Sequence, residues 1–315
     1  GFFQGFGGPA CARILTQWYP AKERGKWWSL WSAAHNVGGL AIPLLAGGVA
    51  QAVGWRFGMI VPGMIGLVTG AIVMVGLRDS PTDVGLPALP KPKVAPRAGA
   101  VVGEEDKLSA VDVVLKYVLT SRCMWALAVS YFFVYVVRQG LVSWSLFYLT
   151  SVKGVPTAAK AAAIGAMLEL GGLGGSIASG AISDGLGGHR IRVTIAFMVG
   201  TAASICLLPL VPAGDIGMLT AVITLIGFFI YGPQMLIGLI GAEVSHPLGV
   251  ASGNGLLGWI AYIGAAVAGE PLAVLVKQHG WAPFFTALTC CCAVPALLLL
   301  PYWNVRRYED LQKKT

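Results

Sequence analysis

Arg138 sits near the middle of an apolar run, Cys123 to Thr150, long enough to cross a bilayer. A guanidinium stays charged at any ordinary pH, and at bilayer depth it is costly unless it faces a partner or a water-filled cavity. Its planar fork of donors matches phosphate and carboxylate oxygens two at a time. Two readings stand side by side: a structural pair with Glu169, midway along the next apolar run, or a grip on an anionic substrate. They are compatible, because Glu169 can partner Arg138 in an empty site and yield to a phosphate, which would couple binding to movement. Tyr135, three residues before Arg138, shares its helical face and brings a hydroxyl to the same place.

His35, in WSAAHNVGG, is the only histidine within an apolar run. Either it hydrogen-bonds a neighbouring helix, as Asn36 beside it can, or its pKa near neutrality lets it gain a proton when a dianion arrives. Further on, Asp184 is followed by the turn Gly185-Leu-Gly-Gly and by Arg190 and Arg192. An acid at a helix end, a tight turn and two bases make a charge latch against a neighbouring helix, or only a solvated turn. Gly171-Gly172-Leu-Gly174-Gly175 has neither the preceding strand nor the following Lys-Ser/Thr of a nucleotide loop; Gly172, Ser176 and Gly180 recur as in close helix packing. The six cysteines, with Cys290 to Cys292 consecutive, lack metal-ligand spacing and read as small apolar residues. No metal or cofactor site is expected. Without HExxH, paired carboxylates or a Ser/His/Asp set, neither is an enzyme.

What must hold these groups is set by composition. The 315 residues are 56% hydrophobic and 11% charged, against about 25% charged in soluble domains. Apolar runs of about 20 residues predict nine helical spans, near 1–19, 27–51, 57–77, 123–150, 159–182, 193–212, 217–242, 249–276 and 282–303. The net charge of +8 does not point to nucleic acid. Sixteen Lys and Arg fall in one set of alternate loops and the C-terminal tail, against Arg56, Lys153, Lys160 and Lys277 in the other. That bias predicts a cytoplasmic C-terminus. The polar stretch 78–121, rich in Pro and Lys at first and then acidic, reads as a cytoplasmic linker between two bundles, with Ser109 and Asp112 capping a short amphipathic helix at its end. The expected division is 1–77 for one bundle, 78–121 for the linker, 122–303 for a six-helix bundle and 304–315 for a tail.

A repeat sets the parent architecture. AQAVGWRFGMIVPG (Ala50 to Gly63) resembles VKQHGWAPFFTALT (Val276 to Thr289), so Gly54-Trp55 matches Gly280-Trp281 at an offset of six spans. The second repeat has five spans before its Gly-Trp pair and the first has two. The expectation is a six-plus-six parent of which the first three helices are missing here.

WYPAKERGKWWSLWSAAHNVGG (Trp18 to Gly39), FVYVVRQGLVSW (Phe133 to Trp144), MLELGG (Met167 to Gly172) and GFFIYGPQMLIGL (Gly227 to Leu239) resemble the organophosphate:phosphate antiporters, twelve-helix members of the major facilitator superfamily. The Asp184 loop resembles that superfamily's signature loop. The resemblance implies an all-α membrane protein with two six-helix bundles, and an exchanger of sugar phosphate, with glucose 6-phosphate first, for inorganic phosphate by alternating access. Arg138 would be one of two arginines gripping the phosphate, His35 the site histidine and Glu169 the buried acid. Tyr135, Tyr231 and Tyr262 would supply hydroxyls around the cavity, with Asp184, Arg190, Arg192 and Arg24 as gating residues. Trp27-Trp28 look more like the hexose-phosphate branch. Ser143 departs from the pattern, standing where an Asp is expected before Trp144. A sensor of sugar phosphate that moves nothing, or a non-functional fragment, are the alternative readings. A monomer is expected, in a bacterial inner membrane or a eukaryotic endomembrane such as the endoplasmic reticulum.

Overall fold

The computed structural model describes residues 7–20, 22–87 and 110–312. Among them the regular structure is helical: α1 (Gly7–Trp18), α2 (Arg24–Val53), α3 (Trp55–Gly76), α4 (Ala110–Val113), α5 (Arg122–Ser151), α6 (Ala158–Gly185), α7 (Arg190–Leu210), α8 (Ile216–Val244), α9 (Val250–Val267), α10 (Glu270–His279), α11 (Trp281–Leu299) and α12 (Tyr308–Gln312). Among the described residues, eight segments are long and apolar enough to cross a membrane, α9 and α10 together making one. The first expected span, 1–19, is described only as the 12-residue α1. Half of the linker, residues 88–109, falls outside the described residues, Ser109 included. Its end forms α4 and a π-helical turn, Val114–Val118.

Helix starts carry the caps their sequences offer. The side chains of Ser121, Thr157 and Asp215 accept from the backbone N–H of Met124, Lys160 and Met218, at the heads of α5, α6 and α8. The two Gly-Trp pairs prove geometrically equivalent. Gly54 (φ +103°) separates α2 from α3 and Gly280 (φ +81°) separates α10 from α11, each donating its N–H to the carbonyl four residues back, Ala50 and Val276. Only glycine adopts these left-handed angles freely, so the repeated Gly is a repeated corner.

The second bundle is the tightly built one. α6 crosses α8 through glycines: a Cβ at Gly171 or Gly175 would fall on the carbonyl oxygens of Thr224 or Phe228, and one at Gly227 on that of Leu168. The Gly172–Gly180 stripe on the neighbouring face of α6 also meets α2, with Gly172 under Tyr231 of α8 and Asn36 of α2, and Gly180 against the carbonyl of Gly25 and Ser29. The packing expected of those glycines is present on both faces. Among the described residues, the contiguous apolar core draws only Ala12 and Trp28 from before the linker.

Candidate functional site

α5 presents Arg138 at mid-helix, its side chain 13% exposed, toward the seam where α2 meets α6 and α8. Its Nη2 lies 3.1 Å from His35 Nε2 and 3.9 Å from Glu169 Oε1. For the first contact to be a hydrogen bond the guanidinium donates, so the ring is neutral with its proton on Nδ1. The guanidinium also lies 5.0 Å over the Tyr231 ring, a cation–π contact, while the Tyr231 hydroxyl donates to Glu169 Oε1. Tyr231 therefore shields the Arg–Glu pair as well as bonding to it.

Two buried atoms of the Arg138–Glu169 pair have no hydrogen-bond partner among the described residues: Arg138 Nε, a donor, and Glu169 Oε2, an acceptor. Leaving such groups unpaired is costly, and a ligand able to accept at one and donate at the other would satisfy both. α2 frames the acid. Gly39 leaves room beside Glu169 Oε2, and Asn36 Nδ2 donates to the Glu169 carbonyl at 3.3 Å. Tyr135 stacks edge-on to Tyr131 and Tyr262 at centroid distances of 4.9 and 5.8 Å, and Tyr262 is 54% exposed. So Arg138, His35, Glu169 and Tyr231 form one contact cluster, with Tyr135 and Tyr262 in an aromatic string on the same side of the bundle. Ser143 accepts from Gln139 Nε2 at 3.0 Å and carries no charge to this region.

A second polar cluster closes one end of the seam. Arg190, 2% exposed, donates from Nε and Nη2 to the two oxygens of Glu243 at 2.7 and 2.9 Å. Its Nη1 donates to Asp184 Oδ1 and Ser183 Oγ, both at 2.8 Å. Across the seam, Asp184 Oδ2 accepts from the Lys26 backbone N–H at 2.8 Å, near the start of α2, and Arg24 Nη1 stands 3.8 Å from Glu243 Oε1. Gly25 allows this approach, since a Cβ there would meet both Asp184 and Arg190. One expectation is corrected. Arg192 is not in the latch; it bonds the Trp303 carbonyl and Asn304 Oδ1, with its guanidinium 5.4 Å over the Trp303 ring. Two residues along a helix turn a side chain by about 200°, so Arg190 and Arg192 cannot face the same partner.

Sequence reasoning missed Glu243, whose only signal was a carboxylate ending an apolar run with no base beside it. It also missed Lys153, counted as a loop charge. Lys153 is 5% exposed and donates from Nζ to the carbonyls of Pro209 and Val211 at 2.9 and 2.5 Å, where α7 ends. Burial pushes its pKa below the ordinary lysine value.

Among the described residues, eight helical segments long and apolar enough to cross a membrane, with ionisable groups packed together at mid-helix, define a multi-pass integral membrane protein. Residues 1–269 match the family described as Major Facilitator Superfamily. A probable hexose phosphate transport protein of Chlamydia muridarum is 41% identical over 99% of this chain and 71% of its own length. The membrane sensor protein UhpC of Salmonella typhimurium is 40% identical over 97% and 69%, and a glycerol-3-phosphate transporter of Bacillus subtilis 32% over 98% and 70%. The chain belongs to the major facilitator superfamily, in the branch that holds these organophosphate proteins.

Proposed function

We propose that this chain exchanges a sugar phosphate, glucose 6-phosphate first among candidates, for inorganic phosphate across a bacterial inner membrane, with its C-terminus in the cytoplasm. The observation that carries the reading is Arg138 at mid-membrane, with a free buried donor and with partners drawn from both sides of the seam. Phosphate oxygens take the place of Glu169 at the guanidinium, while Glu169 keeps its hydrogen bond from Tyr231. His35, an acceptor from Arg138 in the empty site, becomes a second donor once protonated. Tyr135 and Tyr262 then border the sugar. The relatives' names, hexose phosphate and glycerol-3-phosphate transport, support the substrate class.

Alternating access is supported by where the seam closes. Contact between α2 and α6 runs from Gly25 and Asp184 up to Gly39 and Glu169, whereas further along α2 a Cβ at Gly47 or Gly48 would meet nothing within 4 Å among the described residues. That arrangement fits a state closed at the Arg190 end and open at the other. In proteoliposomes, phosphate-loaded vesicles should take up labelled glucose 6-phosphate, with glucose 6-phosphate competing better than glycerol 3-phosphate. Equal uptake without internal phosphate sinks the exchange claim. Ser143 and the 40% identity to a membrane sensor favour a second reading, a sugar-phosphate receptor; tight binding with no flux would select it.

A further inference from the structure

Trp28 is 2% exposed on a helix that otherwise leaves large apolar side chains open, Leu30 at 57% and Val37 at 53%. It crosses the seam and joins the core of the other bundle. Its seat is a glycine: a Cβ at Gly238 of α8 would stand 3.6 Å from Trp28 Cζ2, 3.9 Å from its Nε1 and 3.7 Å from Asn254 Oδ1 of α9. Trp31 closes the other side edge-on, with centroids 5.6 Å apart. Along α8, Gly238 lies between Tyr231 of the mid-membrane cluster and Glu243 of the charge cluster, roughly 10 Å from the former at the helical rise.

We propose that Trp28 is the plug of the gate at the Arg190 end, and that Gly238 is the notch that receives it. The inference rests on the alternating-access reading. The Arg24–Glu243 contact across the seam is long at 3.8 Å, and a contact of that kind is a weak seal against water. The indole supplies the seal: among the described residues it is the one large apolar side chain from before the linker that is fully buried in the opposite core, Leu15 of α1 packing against that core only partly buried. Its contacts with Gly238 exist only while the bundles meet there, so they favour the closed state over the open one. Trp28 is thus a positioning residue for transport and touches no substrate.

The test reads gate opening directly. Ser29, 2% exposed and facing Gly180 across the seam, is replaced by Cys in the full chain in bilayer discs. Its rate of reaction with a charged thiol reagent is taken over the same chain lacking Ser29→Cys. Trp28→Ala should raise that rate about tenfold, the shift for loss of roughly 1.4 kcal/mol of closed-state contact. Leu30→Ala, on the exposed face, should leave it unchanged. Adding Gly238→Leu to Trp28→Ala should restore the slow rate, because Leu fills the vacated notch. An unchanged rate in folded Trp28→Ala, or no restoration in the double variant, overturns the proposal. If Trp28→Ala does not fold, Gly238→Phe, whose ring must extend into the space of the indole from a Cβ already in contact at 3.6 Å, should displace it and raise the rate, and an unchanged rate there is equally decisive. Labelling needs no sugar phosphate, so a wrong substrate would fail the transport assay and leave this result readable. A chain that does not alternate would show no change in Ser29→Cys labelling when phosphate is added.

Discussion

Glu243→Gln keeps the shape of the side chain and removes one charge from a cluster in which Arg190 and Glu243 are 2% and 4% exposed. Two charge-assisted hydrogen bonds, at 2.7 and 2.9 Å, are replaced by one to the amide oxygen and by a clash of donors at the amide nitrogen. Removing one partner of a buried pair costs about 3–5 kcal/mol. Asp184, still 2.8 Å from Arg190, keeps the guanidinium neutralised, and the new amide oxygen retains one charged hydrogen bond. These offset about half, leaving a loss of about 2 kcal/mol. For a chain of this size that is about 3 °C in melting temperature, followed by tryptophan fluorescence in detergent. Arg190→Gln combined with Glu243→Gln should cost less than the sum of the singles, since each single leaves the other partner stranded. A melting point within about 1 °C of the native chain, or strict additivity, would refute the reasoning.

Arg138→Lys should abolish most phosphate exchange in proteoliposomes, because an ammonium cannot hold two oxygens in parallel; exchange above about half of native would count against the paired grip. Gly175→Ala drives a methyl group onto the Phe228 carbonyl, so α6 and α8 must part, with a loss of about 1–3 kcal/mol or more, while Gly174→Ala meets Phe228 Cδ2 at an ordinary 3.8 Å and should melt like the native chain. Equal melting of the two variants would contradict the crossing. Lys153 has a lowered native pKa, so the unfolded chain holds its proton to higher pH than the folded one. Its contribution to stability should therefore grow as pH rises toward the ordinary lysine value of about 10.4. The melting difference between native chain and Lys153→Met, measured across that range, should shift in favour of the native chain; a flat difference would argue against a buried cationic Lys153.

What could be read in advance followed the cost of burying charge. Arg138, Glu169 and His35 stand out because each interrupts an apolar run, and the structure brings all three into contact. The corner glycines 54 and 280 stand out because a 14-residue segment recurs, and their positive φ explains why the Gly recurs with it. Glu243 and Lys153 escaped for the opposite reason. Both lie at the ends of runs, where a charge is ordinarily solvated, and only the approach of Arg190 to one and of the α7 terminus to the other buries them. Arg192 was misread because proximity in sequence was taken for a shared face. Trp28 gave no signal, since an indole in an apolar helix is ordinary until a glycine on a helix 210 residues away makes a seat for it.

The charge cluster divides its labour in a way that bears on speed. The short contacts, Arg190 with Glu243 and Asp184, lie wholly among α6, α7 and α8, which pack closely through glycines. What spans the seam is one backbone N–H donated to Asp184 and a 3.8 Å approach by Arg24. A carrier whose strongest ion pair broke on every cycle would have to expose and rehydrate buried charge at each turnover, a large term in its activation energy. In the proposed alternating-access cycle that pair would stay intact, the activation energy would come mainly from sliding apolar contacts, and turnover should depend only weakly on ionic strength.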